Sequence, residues 1–111
     1  MNKPASPTHV TKRDGSIRPF DLEKIVSALE RAGRASGEFD VVEARAMALH
    51  DVLSRIEALG AVTPHIEQLQ DIVESTLHDR EHRKTLRAYI VHREQHRLAS
   101  QWNASRPNTP S

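Results

Sequence analysis

Four cations crowd one short stretch near the start of the chain. In HVTKRDGSIRPFDLEKI, residues 9–25, Lys12, Arg13, Arg18 and Lys24 surround Asp14-Gly15. That pair is a hairpin signal, because both residue types tolerate positive φ. Asp21 then stands where a helix can start, with a carboxylate able to accept backbone N–H groups two or three residues on. A hairpin running into a helix N-terminus offers unpaired N–H groups and a partial positive charge. Lys12 and Arg13 add full charges, and Lys24, one turn into the helix, can fold back toward the turn. The combination suits phosphate groups. It equally fits a solvated, charged turn, and spacing alone does not choose.

Two other constellations invite chemistry. His78 and His82 are four residues apart, as are His92 and His96, a spacing that can chelate a transition metal on a helix. No third ligand accompanies either pair, so solvated helix faces account for them and no metal site is assigned. The last helical segment carries Arg80, Arg83, Lys84, Arg87, Arg93 and Arg97. Glu81 and Glu94 dilute that run, and a net charge of +1 is small for a nucleic-acid-coating protein. A nucleic-acid partner is therefore disfavoured. The chain has no cysteine, which removes disulfides, thiolate zinc sites, iron–sulfur ligation and thiyl chemistry.

The elements that must position these residues follow from apolar spacing. The 111 residues make one domain, and with only 4% aromatics the core must be Leu, Ile, Val and Ala. Residues 8–13 read as a strand, and 17–20 as its return, with Pro19 keeping it at an edge. Leu22, Ile25, Val26, Leu29 and Ala32 make the apolar face of a first helix, ended by Gly33 or Gly37. Asp40 with Glu43 opens a second, whose expected buried stripe is Val42, Ala46, Leu49, Leu53 and Ile56, with Gly60 closing it. Ala61-Val62 is read as a third strand. Thr63-Pro64 starts a third helix with Thr63 as cap, buried through Ile66, Leu69, Val73 and Leu77. A last helix spans roughly 80–101, with Leu86, Tyr89, Ile90 and Arg93 on one side. The expected fold is α+β, a four-helix bundle capped by a small three-stranded sheet. Residues 1–7 and 103–111 are expected to be flexible tails around a domain at 8–102. No segment reads as a membrane span or a signal peptide, and a cytoplasmic location is the expectation.

Three ordered motifs carry a resemblance. The first is Val10, then Lys12-Arg13-Asp14-Gly15, Pro19-Phe20 and Lys24-Ile25. The second is Leu69-Gln70-Asp71-Ile72-Val73-Glu74, and the third Ala88-Tyr89-Ile90-Val91-His92-Arg93. Together, over roughly Thr8 to Arg97, they resemble the ATP-cone domain, the regulatory module at the N-terminus of many ribonucleotide reductases. The opening and closing motifs look most like the anaerobic ribonucleoside-triphosphate reductase. The resemblance implies four helices capped by a three-stranded sheet and an allosteric ligand, ATP or dATP, with Mg2+. It implies that Lys12 and Arg13 bind phosphates and that Val10 and Ile25 pack near the base. Asp21 would lie near the adenine, Lys24 in the same pocket wall, and Gln70 and Arg93 facing the nucleotide. Thr63-Pro64-His65-Ile66 departs from the commonest family form, and no phosphate role is assigned to Thr63 or His65.

A reductase needs cysteine for its radical chemistry, and this chain also lacks a Walker-type phosphate loop. It is therefore expected to be no enzyme but a binding and regulatory domain. The expected partners are an adenine nucleotide, a second copy or a reductase catalytic chain, with no membrane. The alternative is a protein-interaction module that keeps the fold and has lost nucleotide binding. Trp102 lies past the motifs and receives no role.

Overall fold

A computed structural model describes residues 6–105, with the backbone alone for 100–105. Of the expected tails at 1–7 and 103–111, residues 1–5 and 106–111 lie outside what it describes, as does the Trp102 side chain, and the backbone of 103–105 continues the last helix. Ser6 and Pro7 are already anchored: the Ser6 hydroxyl donates to Glu57 at 2.8 Å, and Pro7 is buried.

Strands β1 (His9–Thr11) and β2 (Ile17–Pro19) pair antiparallel, with Val10 opposite Arg18. The turn between them differs from the expected one. Only Gly15 takes a positive φ, 86°. Asp14 instead accepts from the Ser16 backbone and hydroxyl at 2.9 and 2.6 Å, a side-chain turn that mimics backbone pairing.

The third strand is not formed. Thr8 and Thr11 donate to the carbonyls of Val62 and Pro64 at 3.0 and 2.9 Å, but only one parallel bridge results, Thr11 with His65. A ladder needs donation in both directions. The next return donor would be residue 64, which is proline and has no N–H. The sheet therefore has two strands.

Helix α1 (Leu22–Ser36) is capped by Asp21, which accepts from Glu23 N at 3.0 Å, and ends at Gly37, φ 77°. Gly33 lies within it, not at its end. Its absent side chain makes room for the Phe39 ring, which would stand 2.4 Å from a Cβ. Asp40 caps α2 (Val41–Met47), accepting from Glu43 N at 3.1 Å. A π-helical turn (Ala48–Val52) then leads into α3 (Leu53–Ala58), so residues 41–58 run as one rod. This turn overturns the expected stripe. The buried positions are Ala44, Met47, Ala48, Val52 and Ile56, while Val42 and Leu49 are exposed. A spacing of four drifts about 40° per step on a 3.6-residue helix. The π turn takes up the extra residue and keeps Ala44, Ala48, Val52 and Ile56 facing inward.

Helix α4 (Ile66–Asp79) starts later than expected. Pro64 is fully buried in the extended segment beside β1. His65 is the cap: its Nδ1 accepts from Glu67 N at 3.1 Å, and its own N–H donates to Gln68 at 2.9 Å. Glu81, with φ 61°, separates α4 from α5 (Arg83–Ser105), so the last helix begins after Arg80. From the loop following α1, the Glu38 carboxylate accepts from Thr85 N and Oγ at 2.7 and 2.6 Å, satisfying donors at the start of α5. Four helical rods and a hairpin thus form the α+β fold. Its core gathers Val10, Val26, Leu29, Met47, Val52, Ile56, Leu69, Val73, Leu77 and Tyr89. Ile90, expected inward, is exposed, and Thr85 is buried instead.

Candidate functional site

The hairpin, the first two turns of α4 and the middle of α5 meet around one carboxylate. Glu67 sits on the second residue of α4. One of its oxygens accepts from Arg13 Nε at 2.8 Å and the other from Arg93 Nη2 at 2.7 Å. Arg13 also donates to the Gln70 side-chain oxygen at 2.7 Å. Arg93 meets Asp71 at 3.0 Å and Glu74 in a short contact. Glu67, Gln70, Asp71 and Glu74 repeat at three, four and seven residues, so they share the face of α4 turned toward α5.

Burial sharpens these charges. The Arg13 and Arg93 side chains are 19% and 16% exposed, against 41% for Glu67. Hydrogen bonds from Arg93, then Arg13, hold the Glu67 carboxyl below the usual range against the opposing effect of burial. Burial works against the Arg93 charge, but the carboxylates of Glu67, Glu74 and Asp71 outweigh it and keep the guanidinium protonated. Tyr89, one turn before Arg93, is buried, and that burial pushes its hydroxyl up to about 12, with Arg93 and Arg13 pulling the other way.

The residues singled out from sequence divide into two groups. Arg13, Gln70 and Arg93 are brought together. Val10 is in the core beneath the hairpin, and Ile25 packs against that core. Asp21 is spent on the α1 cap, and Lys24 is exposed one turn on. Lys12 is half-buried, and its backbone closes the hairpin with Ser16 at 2.8 Å. Neither lysine has an ion-pair partner among the described residues. Sequence reasoning missed Glu67, Asp71 and Glu74 as partners of the arginines. The three-, four- and seven-residue spacing on α4 shows that they share a face, though not which cations that face meets.

The His82 ring packs on Phe39, with centroids 4.8 Å apart. The His92 and His96 rings stay adjacent, with centroids 4.9 Å apart and planes tilted by 48°. Among the described residues no group of three or more His, Asp or Glu side chains could hold a metal ion. No helix among them is long and apolar enough to cross a membrane. The basic run expected of the last helix is partly neutralised, because Arg80, which caps the end of α4, pairs with Glu43 and Asp51, and Arg97 on α5 with Glu94. Arg83, Lys84 and Arg87 have no such partner among the described residues. They border an open hollow of about 690 Å3 on the α1 side. It adjoins a smaller groove of about 260 Å3 between Ala28, Arg31, Ala32, Ala88 and Tyr89.

Comparison with known proteins agrees with this architecture. The chain is 34% identical over 90 residues to a vitamin B12-dependent ribonucleoside-diphosphate reductase of Mycobacterium tuberculosis, covering 79% of this chain and 12% of that protein. It is 36% identical over 85 residues to an anaerobic ribonucleoside-triphosphate reductase of Salmonella typhimurium, covering 77% and 12%. It is 34% identical over 108 residues to a ribonucleoside-diphosphate reductase subunit alpha of Chlamydia pneumoniae, covering 86% and 10%. The chain thus spans about a tenth of the length of these relatives, and the similarity is not confined to the anaerobic class. Residues 8–98 match the ATP cone domain, and the chain belongs to that family.

Proposed function

We propose that this domain binds an adenine nucleotide, ATP or dATP, as an allosteric signal, and regulates a ribonucleotide reductase of which it is part or on which it acts. The observation that carries this reading is the convergence of Arg13 and Arg93, distant in sequence, on one anionic group at the mouth of the hairpin. Two guanidiniums aimed at one anion suit phosphate oxygens. In this reading Lys12 and Arg13 bind the phosphates, with Gln70 and Arg93 facing the chain. Val10 and Ile25 pack near the base, beside Asp21 and Lys24. Mg2+ arrives on the phosphates, since it is usually held by phosphate oxygens and water with few protein ligands. Phosphoryl transfer needs an in-line nucleophile and its activating group. Asp14 and Asp21 are both committed to backbone N–H groups, and Glu67, Asp71 and Glu74 are paired with Arg13 and Arg93, so the reading is sensing, not turnover.

One observation favours the alternative, an interaction module without nucleotide affinity: Arg13 and Arg93 are already satisfied by groups of the chain itself. Calorimetric titration with ATP, dATP and GTP separates the two. Saturable binding of ATP and dATP is expected. Charge-assisted hydrogen bonds contribute roughly 1.5–3 kcal/mol each, so Lys12→Ala and Arg13→Ala should each weaken ATP by about tenfold or more with unchanged helical circular dichroism. Parent-like ATP binding by both variants would remove the phosphate assignment, and absence of binding by the parent would leave the interaction module.

A further inference from the structure

Glu67 occupies the place between Arg13 and Arg93 where an incoming anion would bind. Each of its oxygens takes a different guanidinium, at 2.8 and 2.7 Å, and it links three separate elements: the hairpin, α4 and α5. The guanidiniums lie deep and the carboxylate shallow, at 19% and 16% exposure against 41%. An anion from solvent therefore meets the carboxylate first. Charge bookkeeping points the same way. Arg13 and Arg93 face Glu67, Asp71 and Glu74, which leaves the cluster with one excess negative charge. A phosphate chain joining that cluster meets three carboxylates, and their repulsion weakens its binding while all three hold their positions. The three are not equivalent. Asp71 and Glu74 touch Arg93 alone, whereas Glu67 also neutralises Arg13, whose other partner is the uncharged Gln70. Moving Glu67 aside frees the whole charge of Arg13 and leaves Arg93 still oriented by Asp71 and Glu74.

We propose that Glu67 is the affinity-setting residue of the nucleotide site: an internal anion that holds Arg13 and Arg93 in position while the site is empty and is displaced by the phosphate chain. This rests on the nucleotide reading above. Its cost is that ATP must exceed a threshold concentration to compete, and its benefit is that two part-buried guanidiniums never stand unpaired. Carboxylate and phosphate compete for the same planar fork of donors, so removing the carboxylate's charge should help the ligand.

The test is ATP titration by calorimetry of the parent, Glu67→Gln and Asp71→Asn, at one salt concentration. Glu67→Ala serves as a second variant, with thermal unfolding showing that each is folded. Asp71→Asn removes the same charge from the same cluster without vacating the bridging place. Glu67→Gln and Glu67→Ala should bind ATP about tenfold or more tighter than the parent, and Asp71→Asn within about twofold. ATP binding by the Glu67 variants alone would overturn displacement by ATP in the parent and leave Glu67 as a permanent block of the site. If the parent binds ATP and the Glu67 variants bind it equally or more weakly, Glu67 is a ligand or a spectator, and this inference fails alone. Equal tightening by Asp71→Asn would reduce the effect to general electrostatics and overturn displacement. No ATP binding by the parent or any variant would overturn the nucleotide reading and this inference together.

Discussion

Arg87 and Arg93 lie on the same helix, under two turns apart, in opposite conditions. Arg93 is 16% exposed and meets Glu67, Asp71 and Glu74. Arg87 borders an open hollow with Arg83 and Lys84, all three without an ion-pair partner among the described residues. One side of α5 therefore spends its charge inside the protein, and the other leaves it in water. An exposed charge is screened and mobile, and each contact it makes contributes little. A charge held between packed elements is already oriented, and its ordering entropy is lost on folding instead of on binding. The α1–α5 groove can attract anions at long range, while the hairpin end can grip one.

The two arginines should differ most in what they contribute to stability. Arg93→Ala would leave three carboxylates beside one another without their shared cation. Because those partners are partly solvated, the loss should fall near or below the lower end for a buried pair, roughly 2–3 kcal/mol. Arg87→Ala should stay within about 0.5 kcal/mol of the parent. Denaturant melts of the two variants check this, and equal losses would erase the distinction between the two sides.

Tyr89 lies between the two regions, lining the groove and standing one turn from Arg93. Its hydroxyl is pushed up to about 12 by burial, above the value near 10 of an unfolded chain. A raised value favours the folded, neutral form. The stabilisation is full below about pH 10 and disappears as pH rises through about 12, a change of about 2–3 kcal/mol. The chain has a single tyrosine, so ultraviolet absorbance follows its ionisation directly. Tyr89→Phe should lack this alkaline loss of stability.

A smaller effect sharpens the other side, where rigidity comes from packing. Gly33→Ala gains helix propensity of about 1 kcal/mol but drives a methyl into the Phe39 ring. Overpacking costs typically about 1–3 kcal/mol, so a net loss of about 1 kcal/mol is expected in thermal melts, with ATP affinity unchanged. A stabilised variant would mean that the ring moves aside freely.

Local signals in the sequence explain much of this architecture. Asp21 and Asp40 cap their helices, Gly37 ends α1, and Gly15 supplies the left-handed residue of the hairpin turn, because each acts on its immediate neighbours. The failures are of another kind. The stripe of residues 41–58 was misread because a period of 3.6 was assumed through a π turn that tertiary packing selects. The third strand was overcounted because Pro64 was weighed as a helix starter and not as a missing donor to β1. Arg13, Gln70 and Arg93 were marked by motif, but Glu67 lies 54 residues from Arg13. No local spacing states which cation a helix-surface carboxylate will meet across the fold.

Backbone amide NMR of the chain titrated with ATP decides whether the hairpin end or the cationic groove receives the nucleotide. Shifts should concentrate in residues 10–25, 66–74 and 89–97, with 83–88 nearly still. Shifts gathered instead at Arg31, Arg83, Lys84 and Arg87, or no saturable shifts at all, would contradict binding at the hairpin end.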